Sequence, residues 1–170
     1  MAELIAEAAR LGLVWGRADG VTVPRAVFVA EVRTWLRTRF QHQGEARGIA
    51  VDCGGLIRGA SVALGLLPTD YQQRMPESVR GYARQRHDDA GEQLCDHYWS
   101  RIPIDAAQIG DVVICAWRGA PPQHAAVLAD YTGGGLSLVH ALRGQGVVEH
   151  RLDDNWRSRI VAAYSIPGVE

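Results

Sequence analysis

Three side chains of this 170-residue chain could carry nucleophilic chemistry together: the thiol of Cys53 and the imidazoles of His124 and His140. A thiolate is the attacking form of cysteine, and the unpaired N–H groups and dipole at a helix amino terminus favour it. The segment VDCGGLIRGASVALGLLP keeps helical spacing at Leu56, Ala60, Ala63 and Leu64, with Pro68 as a stop, so Cys53 falls in the first turn of a helix. Gly54 and Gly55 remove side-chain bulk there, which would let a substrate carbonyl approach the thiol and use the Cys53 N–H as an oxyanion donor. The alternative reading of Cys53 is a small apolar residue filling a gap in the core.

A cysteine nucleophile needs an imidazole within hydrogen-bond reach. HAAVLADY and LSLVHAL alternate as strands do, and YTGGG supplies a turn between them. If Asp130 pairs with Leu136, facing residues carry numbers summing to about 266. His124 then lies opposite or diagonal to His140 on one face, with Cβ atoms roughly 4.5 to 8 Å apart. One ring could take the thiol proton while the other fixes its tautomer. Alternatively, each is a half-buried strand histidine satisfied by a backbone carbonyl. A zinc site built from Cys53, Cys115, His124 and His140 is a third reading, weakened by the lack of closely spaced ligand pairs. Cys95 and Cys115 sit in apolar-periodic contexts and are expected in the core.

The elements that must position these groups divide at Pro103. Before it, Leu4, Ala8, Leu11 and Trp15 line one face of a short helix, and Pro24 opens a second whose stripe is Val32, Trp35, Leu36 and Phe40. QHQGEARGIA has no period and reads as a loop; Val79, Tyr82, Arg86, Ala90, Leu94 and Tyr98 suggest a helix over 77–101. After Pro103, DVVICAW, the two strands of the hairpin, GVVEHRL and IVAAYSI follow at short intervals. Helices first and strands second predict an α+β domain over 23–170 with a mostly antiparallel five- to six-stranded sheet, preceded by an amphipathic arm over 1–22.

Eighteen basic against 19 acidic residues, with the arginines scattered, leave no field of either sign, so nucleic acid is not an expected partner. Three cysteines with no CxxC spacing suggest neither a disulfide framework nor a thiolate cluster, and no cofactor is expected. Glu3 and Glu7 stand where a secretory signal would carry Lys or Arg, and no apolar run approaches the roughly 18 residues that span a bilayer. A soluble protein made in the cytoplasm, without membrane insertion, is the expectation.

The segments RTRFQHQGEARGIAVDCGGLIRG, IGDVVICAW, PPQHAAVLAD, LSLVHALRGQGVVEHRL and NWRSRIVAAYSIP resemble, in order and spacing, the phage-tail branch of the NlpC family of papain-like cell-wall peptidases. The likeness runs over about residues 27 to 167, and its most specific parts are the Asp-Cys pair opening a helix and the strands of His124 and His140. It implies a papain-like fold with Cys53 as nucleophile, His124 as base and His140 as the orienting third residue. It also implies a peptidoglycan stem peptide as substrate, cut between D-glutamate and diaminopimelate, and a place in a virion tail, docked to tail hub or baseplate proteins. The helix over residues 4–15, outside the resemblance, is a candidate for that contact or folds back on its own core. Asp52 resembles a family residue that reads a polar group of the substrate, with helix N-capping as the alternative.

Two positions depart from the family. Arg39 and Phe40 stand where a Pro-Tyr pair often precedes the cysteine, so a phenolic hydroxyl expected near the oxyanion is missing; Gly54 replaces a frequent Ser. Losing one oxyanion donor can cost about 3 kcal/mol of transition-state stabilisation. His42, in the loop before the helix, could stand in as donor or substrate contact. The rival readings are a structural tail protein with a vestigial peptidase fold, and an amidase or acyltransferase on the same fold.

Overall fold

Strands whose side chains are buried on both faces read as unbroken apolar runs, and DVVICAW is one of them. The computed structural model describes residues 20–74 and 90–170. Helices α1 (Arg25–Arg33), α2 (Cys53–Ala63), α3 (Tyr71–Arg74) and α4 (Ala90–Tyr98) precede the main strands, with the short strands β1 (Glu45–Ala46) and β2 (Ala50–Val51) between α1 and α2. Then come β3 (Ser100–Ile102), β4 (Val112–Cys115), β5 (His124–Asp130), β6 (Leu136–Leu142), β7 (Gly146–Arg151), the short helix α5 (Asp154–Arg157) and β8 (Ile160–Ser165). β3 to β8 form one antiparallel sheet in the order β3-β8-β4-β5-β6-β7. The α+β architecture with five or six strands is the one the helix-then-strand order predicts.

Alternation along the strands divides the core. Val112, Ile114, Val127, Val139, Ala141 and Tyr164 pack with Phe28 and Val32 of α1 and Leu56, Ile57 and Ala60 of α2. Val113, Cys115, Ala126, Leu128, Leu138 and Ala163 face the other way, where Leu152 and Trp156 cover them. Each side chain so buried stabilises the fold by about 1.5–3 kcal/mol before entropy is counted. Arg33 pins α1 across the hairpins with a forked contact to Glu149 (3.1 and 2.7 Å) and a bond to Asp130 (2.9 Å). Ser137 completes the cluster, its hydroxyl 2.6 Å from Glu149. Among the described residues no helix is long and apolar enough to cross a membrane.

Local structure departs from expectation in three places. The second helix ends at Arg33 rather than running to Phe40; Thr34 closes it, and Arg37 turns into a left-handed φ of 71° with its N–H bonded to Val147 O at 2.9 Å. The stripe was a correct signal of burial and a wrong signal of period, since Trp35 is buried against Gly59 of α2 and Phe40 bridges Val51. QHQGEARGIA is not all loop: Glu45 pairs with Val51 and Ala46 with Ala50. The helix expected over 77–101 stops at Tyr98, because residues 100–102 pair with β8 at the sheet edge. The helix expected over 4–15 and the stretch 77–89 lie outside the described residues.

Candidate active site

Asp52 starts α2. Its Oδ1 accepts the Gly55 N–H at 2.8 Å as an N-cap, its Oδ2 accepts the Gln43 N–H at 2.7 Å, and His42 Nδ1 stands 3.9 Å from that same Oδ2. Both carboxylate oxygens are thus engaged by main chain. Of the two readings of Asp52, this geometry supplies the cap, which also ties the loop of His42 to the helix start.

Cys53 follows as the first residue of α2, half-buried, with the N–H groups of Ala125 and Gly54 hydrogen-bonding its sulfur. Burial first, and the Asp52 carboxylate second, push the thiol up, against the pull of those donors and of the Arg58 guanidinium. Desolvation therefore opposes the thiolate that the helix end was expected to favour. The resting group is a neutral thiol that has to lose its proton as it attacks.

The flanking glycines serve different ends. A Cβ on Gly54 would meet only the Arg58 guanidinium, at 2.8 Å, whereas one on Gly55 would lie 2.0 Å from the Gly44 carbonyl oxygen. Gly55 is thus demanded by the loop crossing the helix start, not by substrate access. Gly55→Ala is expected to cost about 3 kcal/mol, since backbone must move to admit the methyl, while Gly54→Ala costs under about 1. Chemical denaturation of both variants checks this; equal stabilities would show that the loop yields freely.

The hairpin holds its predicted register: Asp130 pairs with Leu136 and Val127 with Val139, which leaves His124 and His140 diagonal to each other. His124 Nε2 and His140 Nδ1 are 2.9 Å apart, a hydrogen bond. The bond fixes phase: if Nε2 of His124 carries the hydrogen, its Nδ1 is left as an acceptor. His124 is 7% exposed and His140 wholly buried, so desolvation holds both neutral. Burial lowers His124 to about 4; burial, then the charges on His124 and His150, lower His140 to about 3. Among the described residues no group of three or more His, Cys, Asp or Glu side chains is arranged to hold a metal ion, and the facing nitrogens of these two rings hydrogen-bond each other.

Cys53 and His124 are both tied to the start of β5. His140 alternates with Val139 and Ala141, which face α2, so its ring lies on the far side of the sheet, 4.7 Å from the Trp156 ring. Cys53 touches main chain one residue past His124, the first residue of the strand. Cys115, opposite His124 on β4, is fully buried, and Cys95 is partly buried against the core, as expected.

Sequence reading missed His150, whose Nδ1 lies 2.9 Å from His140 Nε2 and whose ring stacks on Trp156 at 5.7 Å. A signal existed: the RGQG turn pairs Leu142 with Gly146 and His140 with Val148, so a second diagonal step reaches His150. It also missed the rim. Trp117 is 38% exposed with its ring 5.4 Å from His124, and the Arg159 guanidinium lies 5.8 Å from Trp117 and 5.7 Å from Trp156.

A helix opened by a half-buried cysteine and packed on an antiparallel sheet whose second hairpin carries paired histidines defines a papain-like α+β protein. Residues 37–165 match the NlpC/P60 family, and the chain belongs to that family. Its members are typically cell-wall peptidases. The fold is similar to that of an NLP/P60-family protein described as similar to lipoprotein from Staphylococcus aureus (TM-score 0.53, 18% identity, 84% of this chain and 41% of that one). A NlpC/P60 family protein from Bacillus cereus gives a TM-score of 0.56 at 15% identity, over 84% of this chain and 40% of that one. The tail tip assembly protein K of Escherichia phage lambda is 37% identical over 59 residues, which are 35% of this chain and 28% of that protein. The chain thus spans well under half the length of each of these relatives.

Proposed function

We propose that this protein is a cysteine endopeptidase that cuts peptidoglycan stem peptides, at the amide between D-glutamate and diaminopimelate, from a phage or phage-like tail that opens the host cell wall. The observation that carries the reading is the 2.9 Å contact between His124 and His140, at the strand start where Ala125 binds the Cys53 sulfur. His124 Nδ1 takes the thiol proton while the sulfur attacks the amide carbon, and the Gly54 and Cys53 end of α2 faces the oxyanion. The C–N bond breaks, the departing amine receives the proton from His124, and a thioester remains on Cys53. Water, deprotonated by the same ring, then frees the acid and restores the thiol. His140 acts through His124 by holding it in the Nδ1-acceptor tautomer.

The tail setting is supported by the likeness to tail tip assembly protein K, and residues 1–22 are the candidate segment for contact with tail hub or baseplate proteins. His42, with its Nδ1 3.9 Å from the Asp52 carboxylate, could stand in for the phenol that Phe40 lacks, and Arg159, framed by two indoles, suits a carboxylate of the stem peptide. Phe40 favours a second reading, a tail assembly module without catalysis.

Digestion of purified peptidoglycan followed by mass spectrometry separates these readings. New amino termini on diaminopimelate are expected. Release of whole stem peptides would make the protein an amidase, and an undigested wall would leave the assembly role.

A further inference from the structure

His124, His140 and His150 join head to tail, Nε2 of each 2.9 Å from Nδ1 of the next, in an unbroken line from the buried end of β5 to a partly buried ring. Two bonds through a common ring make the three tautomers interdependent. When every Nε2 carries a hydrogen, each donates to the following Nδ1, and His124 Nδ1 is free to accept. When His150 gains a second proton, its Nδ1–H must donate to His140 Nε2. His140 then carries its hydrogen on Nδ1 and donates it to His124 Nε2, and His124 in turn carries its hydrogen on Nδ1, where it can no longer act as a base.

We propose that His150 is the outer end of a three-imidazole proton relay that stores the proton taken from Cys53 and decides by its own protonation whether His124 can act as a base. This rests on the peptidase reading above. The step balances. The thiol proton goes to His124 Nδ1, the Nε2 hydrogen of His124 passes to His140 Nδ1, and the Nε2 hydrogen of His140 passes to His150 Nδ1. Three protons on the chain become four, and the positive charge sits on the ring that water reaches. On collapse of the tetrahedral intermediate the same two hops run backwards, and His124 Nδ1 gives its proton to the leaving amine. The gain is solvation: a cation on His124 or His140 is held in a dry site, whereas His150 is only partly buried and lies against the face of Trp156.

The groups around His150 leave this role open to it. His140 faces it from β6, and Trp156 covers one face, with the Arg159 guanidinium against Trp156. Its strand neighbours are engaged elsewhere, Glu149 by Arg33 and Ser137 and Arg151 over the Tyr131 ring. The charged groups of the adjoining helix are Asp153, which caps it, Asp154 and Arg157.

The test uses His150→Asn, whose side-chain oxygen can still accept from His140 Nε2–H and hold the resting tautomers but cannot take a proton. Nitrogen-15 NMR of the imidazoles, with no substrate present, should show the His124 ring of the parent exchanging its protonated and bare nitrogens at the pH where His150 takes up its proton. The variant should show no such exchange. In a kinetic assay His150→Asn should lose about tenfold in kcat with KM unchanged, and the acid limb of its pH profile should move. Independent titration of the three rings in the parent, or a parent-like kcat and profile in His150→Asn, would overturn the relay. The parent titration stands even if the variant does not fold. Coupled titration in a protein that releases no wall peptides would refute the peptidase and leave the relay standing.

Discussion

Cys53→Ala is expected to abolish release of peptides from purified peptidoglycan, a fall of about 10⁴-fold or more, with the thermal midpoint close to the parent's. The size of the loss follows from chemistry in which one atom makes the covalent bond: without sulfur no thioester forms, and the imidazoles have nothing to deprotonate but water. The small effect on stability follows from position. Cys53 is half-buried at a helix start whose cap is supplied by Asp52, and removing a thiol that burial already keeps protonated costs no ion pair. Cys115→Ala is the control. Its thiol is fully buried on β4 opposite His124, so its loss should lower stability by about 1 kcal/mol and spare the chemistry. Wall digestion by Cys53→Ala at the parent rate would remove the nucleophile from the proposal and with it the role of His124.

What could be read in the sequence was the part set by period and turn. The pairing of His124 with His140 followed from counting across YTGGG, because a sheet's two-residue repeat and a glycine turn leave few registers open. Cys53 at a helix start followed from the apolar spacing of Leu56, Ala60, Ala63 and Leu64 with Pro68 as the stop. Properties that depend on distant chain were not legible. The state of the thiol depends on its burial and on Asp52, while Gly55 answers to a carbonyl at Gly44. The left-handed turn at Arg37, which keeps the chain beyond α1 from continuing as helix, is bonded to Val147 O, more than a hundred residues away. His150 lies between these cases: the RGQG turn made it countable, and only its bond to His140 shows that the pair is a chain of three.

Acid should weaken this fold well before its carboxylates titrate. His124 and His140 are neutral in the native state, lowered by burial to about 4 and about 3, while in the unfolded chain both return to about 6.5. Between those values the unfolded chain binds more protons than the native one, so stability is complete above about pH 6.5 and falls as pH drops towards 4. One pKa unit is about 1.4 kcal/mol, which makes the His124 contribution about 3 kcal/mol; with His140 added, and the two coupled by their shared hydrogen bond, the loss is on the order of 5 kcal/mol. That is a large share of what holds a domain of this size. Urea denaturation at pH 7 and at pH 4.5 measures it, and His140→Gln should flatten the slope by removing one of the two sites. Carboxylates that are lowered in the native state, such as Asp96 and Glu149, add their own loss only further down, below the ordinary carboxylate range. Equal stability at the two pH values would mean that the native rings take up protons as readily as free imidazole, which a dry, hydrogen-bonded pair cannot do.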